Sequence, residues 1–134
     1  MVLDEPEILA FLDHRPLFAG HTLVIPRRHV ATLAALTPGL DAALFEACRR
    51  IAAAQRDALG CQGTFLAIND VVSQSVPHVH FHVVPRTRGD GLRGFFWPRT
   101  RYAPGEAAEM AARLREALGT APGAGRSADG READ

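Results

Sequence analysis

The run His78-Val79-His80-Phe81-His82-Val83-Val84 sets three histidines at strict two-residue spacing among large apolar residues that favour strands. Successive side chains of a strand point to opposite faces. The alternation therefore predicts a half-buried strand, with Val79, Phe81 and Val83 turned to a core and the three imidazoles on the opposite face. Same-face neighbours lie about 7 Å apart at Cα, near enough to act on one bound group. A neutral imidazole is a competent nucleophile near pH 7, and its neighbours fix which nitrogen carries the proton. Two other chemistries fit the same row, a metal site and a plain solvated polar face. With six histidines in 134 residues such a run is improbable by chance, and a solvated face draws more often on Lys, Thr or Glu. The run alone leaves catalysis and metal binding open.

A single core is affordable at this length, with 47% hydrophobic and 22% charged residues. Fifteen basic and fifteen acidic side chains cancel, so no global field points to nucleic acid or to an anionic membrane. Cys48 and Cys61 are too few and too far apart for a disulfide framework or a Cys-x-x-Cys site. Met1 to Pro6 has neither a basic n-region nor an apolar h-region, and no apolar run approaches membrane length. The expectation is a cytoplasmic protein with reduced cysteines and no membrane partner.

Ile8 to Leu12 reads as a short strand and His21 to Pro26 as a second, with a turn around Arg15-Pro16 and Ala19-Gly20 between them. Thr37-Pro38 looks like an N-cap followed by proline at the first helical position. From there Leu40, Leu44, Cys48, Ile51, Gln55 and Leu59 recur at helical spacing, and Gly60 supplies the stop. Thr64 to Asn69 is a third strand, joined to the histidine strand as a hairpin through a polar turn, Asp70 to Ser75. A second helix is expected from about Pro104 to Leu118, with Glu106 and Glu109 near its start and Arg113 and Arg115 near its end, as the helix dipole favours. Residues 119–134 carry Gly, Ala, Pro, Ser and charge without apolar periodicity, which predicts a disordered tail after a domain spanning residues 1–118.

Several ordered motifs together resemble the histidine triad (HIT) superfamily, whose signature is His-φ-His-φ-His-φ-φ with φ apolar. Residues 78–84 match it at every position. The likeness extends through Ala10-Phe11-Leu12-Asp13, the stretch Gly20-His21-Thr22-Leu23-Val24-Ile25-Pro26-Arg27-Arg28-His29, Asn69, Gln74-Ser75-Val76 and Pro85-Arg86, over roughly residues 5–118. The resemblance implies an α+β, HIT-like fold with a mostly antiparallel sheet and two main helices, usually assembled as a homodimer. It implies hydrolysis or transfer at the α-phosphate of a nucleotide, with purine nucleotides as the substrate class. By the same likeness His80 would attack phosphorus and form a covalent nucleotidyl-imidazole, and His82 would donate to a phosphate oxygen. His78 and His21 would organise the network and help to protonate the leaving group. Asp13 matches a ribose-binding position, Gln74 and Ser75 match phosphate and leaving-group contacts, and Asn69 matches a further binding position.

Two departures stand out. The loop from Asn69 to Gln74 is shorter than is typical of the family, and Ser73 stands where glycine is expected. Some bacterial relatives hold zinc through a Cys-x-x-Cys pair with histidines resembling His29 and His78. This sequence has no such pair, so neither a metal nor a cofactor is expected. Arginines and aromatics between Arg86 and Tyr102, among them Phe95, Phe96 and Trp97, suit substrate or dimer contact better than nucleic acid. The expected activity is a phosphoramidate or dinucleoside polyphosphate hydrolase. A nucleotidyltransferase and a non-catalytic nucleotide-binding module are the alternatives.

Overall fold

The computed structural model describes residues 1–93 and 100–120. Five strands form one antiparallel sheet: β1 (Leu3–Asp4), β2 (Ile8–Leu12), β3 (Thr22–Pro26), β4 (Gly63–Ala67) and β5 (Phe81–Arg86), in the order β1-β2-β3-β5-β4. One long helix, α1 (Leu40–Leu59), follows β3, and a second, α2 (Glu106–Thr120), lies near the end of the chain. Together these are the α+β architecture that the resemblance implies. Residues Met1–Leu92 form one compact unit, and α2 belongs to a separate unit that begins at Arg93. Among the described residues, no helix is long and apolar enough to cross a membrane.

The alternation seen in the sequence divides the sheet into two faces. Ile8 and Ala10 of β2, Thr22 and Val24 of β3 and Val83 of β5 are buried, and they pack with Leu40, Leu44, Ala47, Cys48 and Ile51 of α1. Leu44 is fully buried at the centre of the helix stripe, where truncation to alanine costs about 2–5 kcal/mol in comparable cores. Burial also raises the Cys48 thiol to about 11, so this cysteine is inert core rather than a nucleophile. The intervening residues, Phe11, Leu23, Ile25 and His82, line a pocket on the other face.

One strand was missed and four local expectations are corrected. The strand β1 was not legible, since two residues carry no period. Helix α1 starts at Leu40 rather than at Thr37-Pro38: Gly39, at φ 93°, is its N-cap, and the Thr37 hydroxyl is engaged by Arg28 at 3.1 Å. The histidine strand runs Phe81–Arg86, so His78 and His80 precede it. Pairing with β4 continues past the expected stop because Thr64 faces Pro85 where β3 no longer pairs, and the missing N–H of proline breaks no ladder bond there. The link between β4 and β5 is residues 68–80, longer than the turn that was expected. Helix α2 extends through Gly119 and Thr120, beyond the expected boundary after Leu118, which leaves Arg113 and Arg115 short of its last turn. The remaining residues of the expected tail, 121–134, and the cluster Phe95-Phe96-Trp97 lie outside the described residues.

Candidate active site

A cavity of about 610 Å³ opens on the sheet face away from α1. Phe11 of β2 and Leu23 and Ile25 of β3 make an apolar wall, and Val76 adds to it. Asp13, His14, Arg15, Ser75, His78, His80 and His82 supply the polar lining. All three triad histidines therefore reach one cavity, as the alternation of the sequence predicted, although only His82 lies within β5. The apolar wall was missed, although Phe11, Leu23 and Ile25 sit at alternate strand positions whose neighbours are core.

Hydrogen-bond partners place the proton on four imidazoles, those of His21, His78, His80 and His82. His80 is buried, and its Nδ1 lies 2.7 Å from the carbonyl oxygen of His78. A carbonyl can only accept, so Nδ1 carries a proton and the neutral ring has its lone pair on Nε2. His78 has the opposite pattern. Its Nε2–H donates to the Pro26 carbonyl at 2.9 Å, while Nδ1 accepts from the Val30 N–H at 3.3 Å. Both of its nitrogens are thereby committed, and its ring also stacks on His29 at 5.3 Å between centroids.

His21 and His82 form a directed relay. The Leu17 N–H donates to His21 Nδ1 at 3.1 Å, which forces a neutral ring protonated at Nε2. That Nε2–H donates to His82 Nδ1 at 3.0 Å, so His82 in turn carries its proton on Nε2 as a hydrogen-bond donor. Burial lowers the pKa of both rings. For His82 the neighbouring His21 and His80 push the same way, and in both rings the nearby Asp13 carboxylate opposes the shift in part. One imidazole thus offers a lone pair and its neighbour an N–H, with centroids 5.1 Å apart.

The other predicted residues divide. Asp13 lines the cavity through a side chain that also caps its own turn, Oδ1 accepting from the Arg15 N–H at 2.8 Å, while Oδ2 lies 3.8 Å from His21 Nε2. Ser75 lines the cavity. His21 stands behind His82 rather than in the lining. Asn69 is exposed and outside the cavity. Gln74 has its amide spent on backbone, Nε2 donating to the Ala31 carbonyl of the segment after β3 at 2.8 Å and Oε1 accepting from the Val71 N–H of its own loop at 3.2 Å. Arg86 is held in a fork by Asp90, at 2.5 and 2.9 Å, and donates to the Leu92 carbonyl as well. It braces the turn after β5.

Asp13, His21 and His82 place one potential metal-ligating atom each within 4.8 Å of one another. Their chemistry does not suit a metal. A metal-bound imidazole normally donates its other N–H to an acceptor, whereas His21 Nδ1 faces a donor, the Leu17 N–H. Coordination through His21 Nε2 would need either an imidazolate or the loss of that bond.

The HIT domain profile matches residues 1–89. The chain belongs to the HIT family. It is 41% identical over 93 residues to an uncharacterized HIT-like protein of Mycobacterium tuberculosis, an alignment covering 68% of this chain and 65% of that one, so the chain spans a little under two thirds of that relative's length. It is 37% identical over 83 residues to a Schizosaccharomyces pombe protein named bis(5′-nucleosyl)-tetraphosphatase [asymmetrical], covering 60% of this chain and 46% of the relative. Among solved structures, a HIT family protein from Bacillus anthracis superposes with a TM-score of 0.77 at 30% identity, over 87% of this chain and 85% of that one. A zinc-bound histidine triad family protein from Mycobacterium smegmatis superposes with a TM-score of 0.65 at 36% identity, over 87% and 86% of the two chains. The sheet and helices of this HIT protein are thus those of its structural relatives.

Proposed function

We propose that this HIT protein hydrolyses purine nucleotides at the α-phosphate through a covalent nucleotidyl-histidine intermediate on His80. The observation that carries this reading is the pairing of a lone pair on His80 Nε2 with an N–H on His82 Nε2 in one cavity. The base lies against Phe11, Leu23 and Ile25, and Asp13 accepts from the ribose hydroxyls. His80 Nε2 attacks phosphorus, the P–N bond forms as the bond to the leaving group breaks, and the ring becomes an imidazolium. The His78 carbonyl, already bonded to Nδ1–H, stabilises that positive charge as it appears. His82 Nε2–H meets the charge developing on a phosphoryl oxygen. Water then attacks phosphorus, releasing the nucleoside monophosphate and returning the lone pair to Nε2.

His78 has no nitrogen left for proton transfer, so its part in this scheme is to orient His80 through its carbonyl. The tetraphosphatase named among the relatives supports a polyphosphate leaving group, which departs as an anion; a phosphoramidate undergoes the same attack at phosphorus, and its amine takes a proton from solvent as the bond to phosphorus breaks. A homodimer belongs to the same reading: α1 leaves Phe45 and Leu59 exposed, and light scattering at micromolar protein checks the mass. The deciding experiment incubates the protein with adenosine and guanosine phosphoramidates, diadenosine polyphosphates and nucleotide sugars in oxygen-18 water. Label in the released mononucleotide supports the scheme. Transfer of the nucleotide to added phosphate assigns a transferase, and binding without turnover on any substrate assigns a binding module.

A further inference from the structure

Gln55 of α1 is a buried polar side chain on the core side of the sheet, on the apolar stripe of the helix. Its Nε2 donates to two carbonyls at once, Gly20 at 2.9 Å and Val83 at 3.0 Å. These residues adjoin His21 and His82. The amide cannot be turned over, because Oε1 would then face two acceptors. In the observed orientation Oε1 is buried and has no hydrogen-bond partner among the described residues. A helix position that only filled the core would hold Leu or Met and bury no orphan acceptor.

The β3–β5 ladder ends one residue short of His21, whose own backbone bonds run to Asp13 and Phe18 rather than to β5. Pairing between β3 and β5 runs Val24 with Phe81, Leu23 with His82 and Thr22 with Val83, and it stops there. His21 lies one residue beyond the last pair. Gln55 bridges the two strands where the ladder ends, and the Thr22 hydroxyl secures the same Gly20 carbonyl at 2.9 Å. We infer that Gln55 is a positioning residue for the His21–His82 pair, clamping the two backbone segments so that their ring nitrogens stay at hydrogen-bond distance. It touches neither ring and acts through the carbonyls beside them.

The test is nitrogen-15 NMR of the imidazoles in the full chain without ligand, joined to steady-state kinetics. Wild-type His21 and His82 each give one protonated and one unprotonated ring nitrogen. Gln55→Met keeps length and apolarity but has no donor. Its His21 and His82 signals move toward the tautomer-averaged pattern while those of His80 stay in place, and kcat falls about tenfold or more with KM changed by less than about twofold. Leu44→Ala, at the core centre, lowers the melting temperature and leaves all these signals where they were. Wild-type imidazole signals in Gln55→Met overturn the inference whatever happens to stability, and so does an equal movement in Leu44→Ala. Should Gln55→Met fail to fold, Gln55→Leu likewise removes the donor to the Gly20 and Val83 carbonyls, and unmoved His21 and His82 signals in it overturn the inference equally. The kinetic arm rests on the hydrolase reading above and the spectroscopic arm does not. Shifted signals in a protein without turnover would therefore refute that reading and leave this one standing.

Discussion

Leu17 and His21 are joined by a 3.1 Å hydrogen bond in which the backbone N–H donates to ring nitrogen Nδ1. A donor aimed at that nitrogen excludes the imidazolium, and the exclusion passes through His21 Nε2–H to His82. Both rings must be neutral for the relay to exist. Acid therefore acts on the fold and on the site together.

The pH dependence of stability has a definite sign. Unfolded, His21 and His82 titrate near 6.5, and in the folded chain burial lowers both. Between 6.5 and the folded values the unfolded state binds more protons, so stability rises with pH there. The contribution is complete above about pH 6.5, is lost as pH falls through the folded values, and is flat below them. Urea midpoints from pH 8 to pH 5 should show that fall, and His21→Gln/His82→Gln should flatten it. A midpoint independent of pH in the wild type would contradict the neutral relay.

Removing the nucleophile should separate binding from turnover. His80→Ala should reduce kcat by roughly 10⁴-fold or more while a nucleoside monophosphate still binds, because the apolar wall and Asp13 are untouched. His82→Ala removes one donor to the phosphoryl group and should cost about 10²–10³-fold in kcat. Acid-labile, base-stable nucleotide trapped on the wild type by quenching, and absent from His80→Ala, checks the assignment directly.

The loop before the triad carries backbone strain. Val71 and Ser73 have φ of 64° and 60°, the left-handed region that favours glycine, and valine is β-branched. Val71→Gly and Ser73→Gly should each raise stability by up to about 1 kcal/mol, the relief of the left-handed penalty less the added chain entropy. Chemical denaturation measures both. A loss of stability in either would mean that the loop relies on the side chain removed.

Gly20 tests how closely α1 must approach the His21 segment. Its φ is 95°, and a Cβ there would run into Cδ1 of Leu59. Gly20→Ala should cost at least about 1–2 kcal/mol from the backbone alone. Adding Leu59→Ala should recover the steric part and not the backbone part, so a double-mutant cycle ought to give a nonzero coupling. Simple additivity would place Leu59 away from Gly20 in solution.

Strands β2 and β3, the stripe of α1 and the convergence of the triad were legible because each follows from a period of two or 3.6 residues acting on burial. The glycine preference at position 73 was legible as well, and the φ of Ser73 supplies its physical reason. Loop side chains were not. Gln74 turns to the Ala31 carbonyl and Asn69 to solvent because the backbone of residues 68–80 decides where they point, and no periodicity encodes that path. Gln55 looked like one more core position, since a pattern of burial says nothing about which polar atoms meet inside. The proton positions lay equally out of reach, as they depend on partners far away in the chain, such as Leu17 for His82.

Because β5 carries core on one side and chemistry on the other, its register is as much a part of the site as its residues. A one-residue slip of β5 against β3 and β4 would turn the strand over, driving His82 among Leu44 and Ile51 and pushing Val83 into the cavity. Point substitutions on the cavity face can be sampled without touching the packing, whereas such a slip inverts the strand's inside and outside. Variation in such a strand is therefore free in spelling and frozen in alignment.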